Sequence, residues 1–316
     1  MKAFEFFAVL LAAGLSMGAA MGTARADSGV ALDLKQLSQK QQGNLTSAIA
    51  KARAQNPALF KRTAAVAAAV EKADRDKRGP YVSMTRYFFA LGKPAVVPML
   101  ELLAVKGPAR GKMRDSAWTS LRVSLIEAVG MHRDPIAVPV LDAILEQESE
   151  YFVVRAAAEA LGRIGTDASA KKLAGLAVAS GPKQLAVLSA IGDCRRSTVA
   201  AALADFLKQP SDLRTTRLTL AALGGVGNAW AWKTPNVAKS GEEAAVRGTA
   251  AKALVAAFAR LDDKDLRLAA QKAILLVDDA GTPSLIEAEK SAASPETRAA
   301  LDRLAAKLAK SPLHKY

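Results

Sequence analysis

A short apolar tripeptide ending in glycine recurs along this chain and constrains its fold more than any other feature. It reads Ala90-Leu91-Gly92, Ala128-Val129-Gly130, Ala160-Leu161-Gly162 and Ala190-Ile191-Gly192, with a shortened copy at Leu223-Gly224. The last four glycines follow one another at intervals of 32, 30 and 32 residues, and each copy closes an apolar stretch with helical spacing. A period near 30 residues is typical of stacked helical hairpins, in which each unit contacts mainly its neighbours.

The clearest repeat runs from Asp134 to Gly165 and predicts two helices joined by an acidic turn. Pro135 suits the first position of a helix, where its missing N–H costs nothing. The apolar face of this first helix consists of Leu141, Ile144 and Leu145. The second helix is predicted to begin near Val154-Arg155 and to end at Gly162, which would supply a left-handed cap.

A proline inside the first helix (Pro98, Pro139), a Val-Arg opening of the second helix and the Ala-Leu-Gly close together resemble HEAT repeats. They are most similar to the short HEAT-like type first described in phycobilisome lyases. The resemblance covers residues 80 to 227 well and 244 to 308 loosely. It implies an all-α fold, a right-handed α-solenoid (superhelix) of stacked antiparallel helix pairs. It also implies that Arg155 and Arg217 are structural ladder residues, each bonding an acidic or carbonyl partner in the adjacent repeat.

The ends of the chain differ from its middle, and the sequence predicts five segments. These are a signal peptide (1–26), an N-terminal helical cap (27–79), HEAT-like repeats (80–227), a Trp-containing loop insertion (228–243), and degenerate C-terminal repeats with a cap (244–316). Terminal repeats need polar caps because they have no neighbour on one side. The last helix is predicted to start at Ser294-Pro295 and to end at Ser311-Pro312, before a short basic segment.

The amino terminus has the anatomy of a secretory signal peptide. Lys2 supplies a positive charge, residues 6–20 are largely apolar, and Ala24-Arg25-Ala26 has the small-x-small form of a cleavage site. Nothing later in the chain approaches the ~18 consecutive apolar residues of a membrane-spanning helix. We therefore expect a mature chain that starts at Asp27, is periplasmic or secreted, and has no integral membrane segment after cleavage.

The chain is strongly basic, with a formal net charge of +14. A balance of this size attracts polyanions and acidic protein surfaces. The densest basic run, interrupted only by Asp115, forms a candidate basic strip: Lys106, Arg110, Lys112, Arg114 and Arg122. Two interpretations stay open, a solvated face of the helices and a docking strip along one side of the solenoid.

One segment breaks the period and carries two of the three tryptophans, Trp230 and Trp232. Insertions into repeats map to loops on one face, often the binding face, and tryptophan is enriched among interface anchors. Trp230, Trp232 and Lys233 are therefore candidate partner contacts. The alternative is that both rings plug the groove between neighbouring hairpins. In an extended segment, positions i and i+2 place both rings on the same side.

Catalytic chemistry is not indicated by any motif. The two histidines, His132 and His314, lack partners at metal-ligand spacing, and the single Cys194 can build neither a zinc site nor an internal disulfide. We expect Cys194 to be a small, half-buried residue in a turn. The paired carboxylates Asp262-Asp263 and Asp278-Asp279 lie at turns, where such residues cap helices. The sequence thus predicts no catalytic residue, cofactor or metal.

Three functional hypotheses follow from these features. The first is a non-catalytic exported scaffold that docks an envelope or periplasmic protein, such as one with an acidic surface. The second is a binder of a polyanion such as polysaccharide, lipid headgroup or extracellular nucleic acid, which would lose affinity steeply with salt. The third is an enzyme by analogy with the lyases, which would require Glu127, Glu159 or Asp205 to converge in one pocket.

Overall fold

A computed structural model describes residues 28–311, so the predicted signal peptide and the C-terminal residues 312–316 lie outside the described part of the chain. Within residues 28–311 the chain forms seventeen α-helices joined by short turns, and no strand occurs there. The helices of the first half are α1 (Gln39–Gln55), α2 (Pro57–Ala73), α3 (Thr85–Phe89), α4 (Val96–Ala104), α5 (Asp115–Met131), α6 (Val138–Gln147), α7 (Tyr151–Ile164) and α8 (Asp167–Val178). Those of the second half are α9 (Gln184–Leu188), α10 (Ser197–Phe206), α11 (Leu213–Val226), α12 (Ala229–Trp232), α13 (Pro235–Ala238), α14 (Glu243–Arg260), α15 (Lys264–Val277), α16 (Thr282–Lys290) and α17 (Pro295–Ala309).

The helices pair into hairpins that stack in two layers. Six hairpins follow one another: α4–α5, α6–α7, α8–α9, α10–α11, α14–α15 and α16–α17. The second helices pack in succession as α3, α5, α7, α9, α11 and α15, a set that we call the second-helix layer. The first helices α8, α10, α14 and α16 likewise pack in succession on the opposite side, which we call the first-helix layer. The fold is therefore an α-solenoid, as predicted.

Local sequence signals set the ends of many helices. Asn56 ends α1 and caps α2 by accepting a hydrogen bond from the Leu59 N–H at 3.1 Å, with Pro57 in the first turn. Ser294 caps α17 in the same way, again followed by proline. The predicted proline inside the first helix is placed differently, because Pro139 lies in the first turn of α6, after a 3-10 turn at Pro135–Ala137.

Three of the recurrent glycines, Gly130, Gly162 and Gly224, lie inside their helices, which corrects the prediction for Gly162. The second helix α7 continues through Gly162 to Ile164, and the left-handed cap is Gly165, with φ of 69°. A Cβ at Gly162 would lie 3.2 Å from the backbone nitrogen and the Cβ of Cys194, in the next hairpin. The glycine is thus required by close packing between neighbouring second helices, because a larger side chain has no room there.

The N-terminal end of the stack is covered by α1, α2 and the preceding residues 28–32. Helices α1 and α2 pack against α4, and α2 also reaches α5. Residues 28–32 run beside the end of α4, where the Val30 N–H donates to the Leu102 carbonyl at 2.8 Å and the Leu32 N–H to the Leu103 carbonyl at 3.0 Å. These bonds satisfy helix-terminal carbonyls that otherwise lack partners. Among residues 28–311, no helix has both the length and the apolar content required to span a bilayer.

Candidate functional site

A groove of about 380 Å³ opens on the second-helix layer where α7, α9 and α11 meet. Its charged walls are formed by Arg155 and Glu159 on α7 and by Asp193 and Arg195 in the turn after α9. Its floor consists of small residues: Ala190, Gly192, Ala221, Ala222 and Gly225. Asn228, at the start of the inserted segment, lies at one end. Because small side chains leave the space between the walls open, a polypeptide backbone could approach this floor.

Arg163 links the two walls of the groove without being one of the lining residues. Its guanidinium contacts the Glu159 carboxylate at 2.5 Å and the Asp193 carboxylate at 2.8 Å. Arg195 contacts the other oxygen of Asp193 at 3.1 Å. Burial disfavours the charged form of Asp193, but the guanidiniums of Arg163 and Arg195 outweigh burial and hold the pKa of Asp193 below its ordinary value. Asp193 is therefore a fixed negative charge shared by two hairpins.

The pKa of Glu159 is shifted in the opposite direction from that of Asp193. Burial raises the pKa of its carboxyl group above the ordinary value, Arg163 opposes that effect, and the nearby Glu127 adds to it. Arg155 contacts Glu159 at 3.4 Å, one turn apart on the same helix. Tyr81, whose pKa is raised mainly by burial and next by Glu127, lies beside the same group. This wall of the groove is consequently a partly buried polar cluster.

The structure does not bring the three acidic residues of the enzymatic hypothesis into one pocket. Glu159 lines the groove, whereas Glu127 accepts a hydrogen bond from the Thr85 hydroxyl at 2.6 Å outside the set of lining residues. Asp205 lies on α10 in the first-helix layer, pairs with Lys208 at 2.7 Å and lines a separate cavity. Residues 28–311 also contain no group of three His, Cys, Asp or Glu side chains arranged to hold a metal.

The inserted segment is helical at its tryptophans, so the two rings point in different directions. Trp232 is buried, and its indole N–H donates to the Val226 carbonyl at 3.2 Å. Trp230 is exposed, and the Lys233 ammonium lies 4.5 Å from its ring centroid. The expectation that both rings share one side is wrong, because residues two apart in a helix are separated by about 200°. Trp232 plugs the core, which leaves Trp230 and Lys233 as candidate contacts.

The candidate basic strip is largely opposed by carboxylates. Arg122 is buried and bridges Glu148 and Glu150, the latter at 2.9 Å. Two further members of the strip pair with aspartates, Arg114 with Asp74 at 2.9 Å and Arg110 with Asp115. Lys106 and Lys112 are exposed and form no ion pair with any residue between 28 and 311. Three of the five members of the candidate basic strip are therefore paired with carboxylates.

A ladder between repeats exists, but other residues form it. Arg155 pairs with Glu159 in its own helix and also interacts with the Tyr81 side chain. Arg217 is exposed and makes neither a hydrogen bond nor an ion pair with residues 28–311, so neither arginine bonds an acidic or carbonyl partner in the adjacent repeat as predicted. The observed ladder joins Arg163 to Asp193, which follow Gly162 and Gly192 directly in the sequence. That shared position, one residue after a recurrent glycine, is the signal that could have identified the pair.

Further arginines bond carbonyl groups 30 or 31 residues away in the sequence. The Arg133 guanidinium donates to the Arg163 carbonyl, and Arg247 donates to the carbonyls of Val277 at 3.2 Å and Asp278 at 2.5 Å. Each of these carbonyls lies at or next to the end of a second helix, where backbone acceptors lack partners within the helix. Arg133 and Arg163 thus link successive hairpins, whereas Arg247 links α14 to the end of α15 within one hairpin.

Cys194 is fully buried, whereas the sequence indicated a half-buried turn residue. Burial raises the pKa of its thiol to about 12. Its position against Gly162 places it at the contact between two hairpins. We conclude that Cys194 has a packing role in the folded chain.

Comparison with known proteins supports the repeat assignment. The family model of HEAT repeats matches residues 110–186, which span α5 to the start of α9. This part of the chain consists of HEAT repeats, and the flanking hairpins continue the same two-layer stack. The curated proteins contain no match to the sequence. Among solved structures, human deoxyhypusine hydroxylase in complex with glycerol is 16% identical, with a TM-score of 0.31, over 80% of this chain and 99% of that chain. A similarity of this degree carries no conclusion about activity.

Proposed function

We propose that this protein is an exported, non-catalytic helical-repeat scaffold that binds a polypeptide segment of another envelope protein in the groove between α7, α9 and α11. The observation that carries the proposal is the groove itself, with charged walls of both signs above a floor of small residues. Export is supported by the signal-peptide pattern of residues 1–26, and periplasmic or secreted location follows from it.

The walls of the groove favour a polypeptide partner over a polyanion. Arg155 and Arg195 face the space together with Glu159 and Asp193, so the groove offers both hydrogen-bond donors and acceptors. A polyanion would meet two carboxylates there, which costs free energy by like-charge repulsion. A polypeptide segment with side chains of both signs satisfies the four charges together.

The inserted segment adds an aromatic contact at one end of the groove. Asn228 lines the groove and caps α12 by accepting a hydrogen bond from the Trp230 N–H at 3.0 Å. Trp230 is 45% exposed, and a ring of this size is a frequent anchor at interfaces. We therefore assign Trp230 and Lys233 to the rim of the binding surface.

The polar groups of the groove support a binding role more than a catalytic one. Asp193 is held charged between two guanidiniums, and Glu159 is paired with Arg155 and Arg163. Asp193, held in this way, presents a constant negative charge to a partner.

Site-specific photo-crosslinking in the native host tests this proposal. A benzophenone amino acid replaces Leu218, which lines the groove, or Ala256, which lines the first-helix-layer cavity between α10 and α14 as a matched control. We expect a discrete protein adduct from position 218, lost when Arg155→Glu is added, and none from position 256. Equal adducts from both positions, or nucleic acid or polysaccharide released by salt as the sole bound material, would overturn the proposal.

A further inference from the structure

The groove between α7 and α11 lies where the second-helix layer is interrupted by a short helix. Helix α9 has five residues, whereas α7 and α11 have fourteen each. Beyond α9 the chain forms a 3-10 turn at Ile191–Asp193, which packs between α7 and α11. The two long helices therefore flank a gap, and a ligand in the groove contacts residues of both.

Both carboxylates of the groove are already bonded within the chain. One oxygen of Asp193 contacts Arg163 at 2.8 Å, and the other contacts Arg195 at 3.1 Å. The two oxygens of Glu159 likewise face two guanidiniums, those of Arg163 and Arg155. Because the neighbouring guanidiniums offset the negative charge of each carboxylate, the groove has little remaining attraction for a basic side chain.

The walls of the groove also carry two arginines with unused donors. Arg155 and Arg217 occupy equivalent positions in their repeats, each seven residues before a recurrent glycine. Arg217 lies one helical turn before the lining residue Ala221, is exposed, and has no hydrogen bond or ion pair with residues 28–311. Arg155 engages the side chains of Glu159 and Tyr81, yet its own side chain is 35% exposed. Since a guanidinium has five N–H donors, both arginines can bind a further acceptor.

An exposed aromatic ring adjoins this basic part of the groove. Tyr151 precedes Arg155 by one helical turn, so the two side chains lie on the same face of α7. The Tyr151 hydroxyl donates to the Oγ atom of Ser189 at 3.1 Å, and Ser189 lines the groove. The ring is thus fixed beside the groove and offers an apolar surface next to the two arginines.

We propose that the polypeptide segment bound in the groove carries an acidic side chain that binds where Arg155 and Arg217 flank the groove, next to an apolar side chain that packs on Tyr151. This inference rests on the proposed function, because it defines the partner of the same groove. A single carboxylate gains hydrogen bonds from the arginines. A run of carboxylates would extend to Glu159 and Asp193 and be repelled there. The partner motif is therefore acidic-apolar.

Sequencing the segment captured from position 218 is the first test. The adduct is digested, and mass spectrometry identifies the crosslinked residue of the partner. We expect an aspartate or glutamate within about three residues of it, since three residues span about 10 Å. A captured segment without an acidic residue at that distance would overturn this inference and leave the proposed function intact. Failure to capture any protein would overturn both.

A charge exchange tests the contact itself. The captured segment is synthesised as a fluorescein-labelled peptide, with its acidic residue either unchanged or replaced by lysine. Arg217→Glu should weaken binding of the unchanged peptide about tenfold, because an attractive pair becomes a repulsive one. The same variant should bind the lysine peptide more tightly than the unchanged one. A variant that keeps the original preference would overturn the inference.

Lys252→Glu is the matched control for net charge. Lys252 is exposed on α14, at the cavity between α10 and α14, and has no ion pair within the described part of the chain. Its reversal changes the net charge of the protein by the same amount as Arg217→Glu, so it reproduces any loss of long-range attraction. We expect less than about a twofold change in affinity, because this residue lies outside the groove. Equal losses in the two variants would contradict a direct contact.

Discussion

A methyl group added to Gly130 would lie 2.5 Å from both the Cα and the Cβ of Ala160, in the second helix of the next hairpin. The same relationship recurs between Gly224 and Ala273, at 2.9 Å. Successive second helices thus approach each other through a line of glycines facing small residues. Distances of this kind leave no space for a side chain, so the line determines how closely the hairpins stack.

Gly130→Ala should therefore destabilise the fold by about 1–3 kcal/mol, the usual cost of overpacking a core. Gly175→Ala is the matched control, because Gly175 lies in α8 with nothing within 4 Å of an added Cβ. That variant should gain roughly 0.5–1 kcal/mol, since alanine favours helix. Denaturant unfolding followed by circular dichroism measures both, and similar effects for the two would contradict the packing role.

Arg122 is expected to be essential for stability, unlike its exposed neighbours in the basic strip. Arg122→Met leaves Glu148 and Glu150 without their cation, and breaking a buried pair costs about 3–5 kcal/mol. Both carboxylates are partly exposed, so we expect a loss nearer roughly 2 kcal/mol. Arg110→Ala, which breaks an exposed pair, should change unfolding free energy by less than about 1 kcal/mol. A basic strip devoted to ligand binding would give small stability effects at both positions.

The two tryptophans of the insertion should behave oppositely. Trp232→Ala removes a buried ring and is expected to cost about 3–5 kcal/mol, whereas Trp230→Ala should cost roughly 1 kcal/mol or less. Acrylamide quenching of the fluorescence provides an independent check. Loss of Trp230 should remove an accessible component, and easy quenching of Trp232 would show that its burial is wrong.

Asp193 should contribute to the acid stability of the fold. Its pKa is lower in the folded chain than its ordinary value of 3.8, so its stabilising effect is complete above that value. The effect is lost as the pH falls through the still lower folded-state pKa. Asp193→Asn should therefore lower the melting temperature at pH 6 and flatten its decrease below about pH 4. Asp205→Asn removes an exposed ion pair and should leave the decrease in melting temperature at acidic pH unchanged. The same flattening in Asp205→Asn as in Asp193→Asn would refute the role of Asp193.

Cys194 should be inert in the native chain. At pH 8, a thiol with a pKa of about 12 is almost wholly protonated, and this side chain is inaccessible. Ellman's reagent should react slowly under native conditions and rapidly in guanidinium chloride. Rapid native reaction would mean that the contact between Gly162 and Cys194 opens readily.

The fold was predictable because its signals are local and repeated. The spacing of the glycines predicted the hairpin stack, and the polar-proline pair Ser294-Pro295 predicted the start of the last helix. The pairing of arginines was not predictable in the same way. Arg122 and Arg163 find their carboxylates in the next hairpin, so their partners depend on the rotation between neighbouring units. Sequence spacing alone could not show that Arg122 and Arg163, and not Arg155 and Arg217, form the bonds between hairpins.

The groove was also missed by sequence reasoning, for a related reason. Its walls come from residues separated by about one repeat, and each residue alone is typical of a helix surface. The prediction for the two tryptophans was wrong because it assumed an extended conformation. Side chains two residues apart lie on the same side of a strand but on opposite sides of a helix. One turn of helix at Ala229–Trp232 decided which ring became core.

The stacking of α11 directly on α15 has a consequence for chain connectivity. Gly224 packs against Ala273 although residues 228–242 and α14 lie between them in the sequence. The inserted segment therefore lies outside the succession of second helices. A peptide bond broken beside the exposed Lys239 would leave both fragments joined through the α11–α15 and α10–α14 interfaces. The molecule can thus be regarded as two complementary halves, which the backbone links but the interfaces hold together.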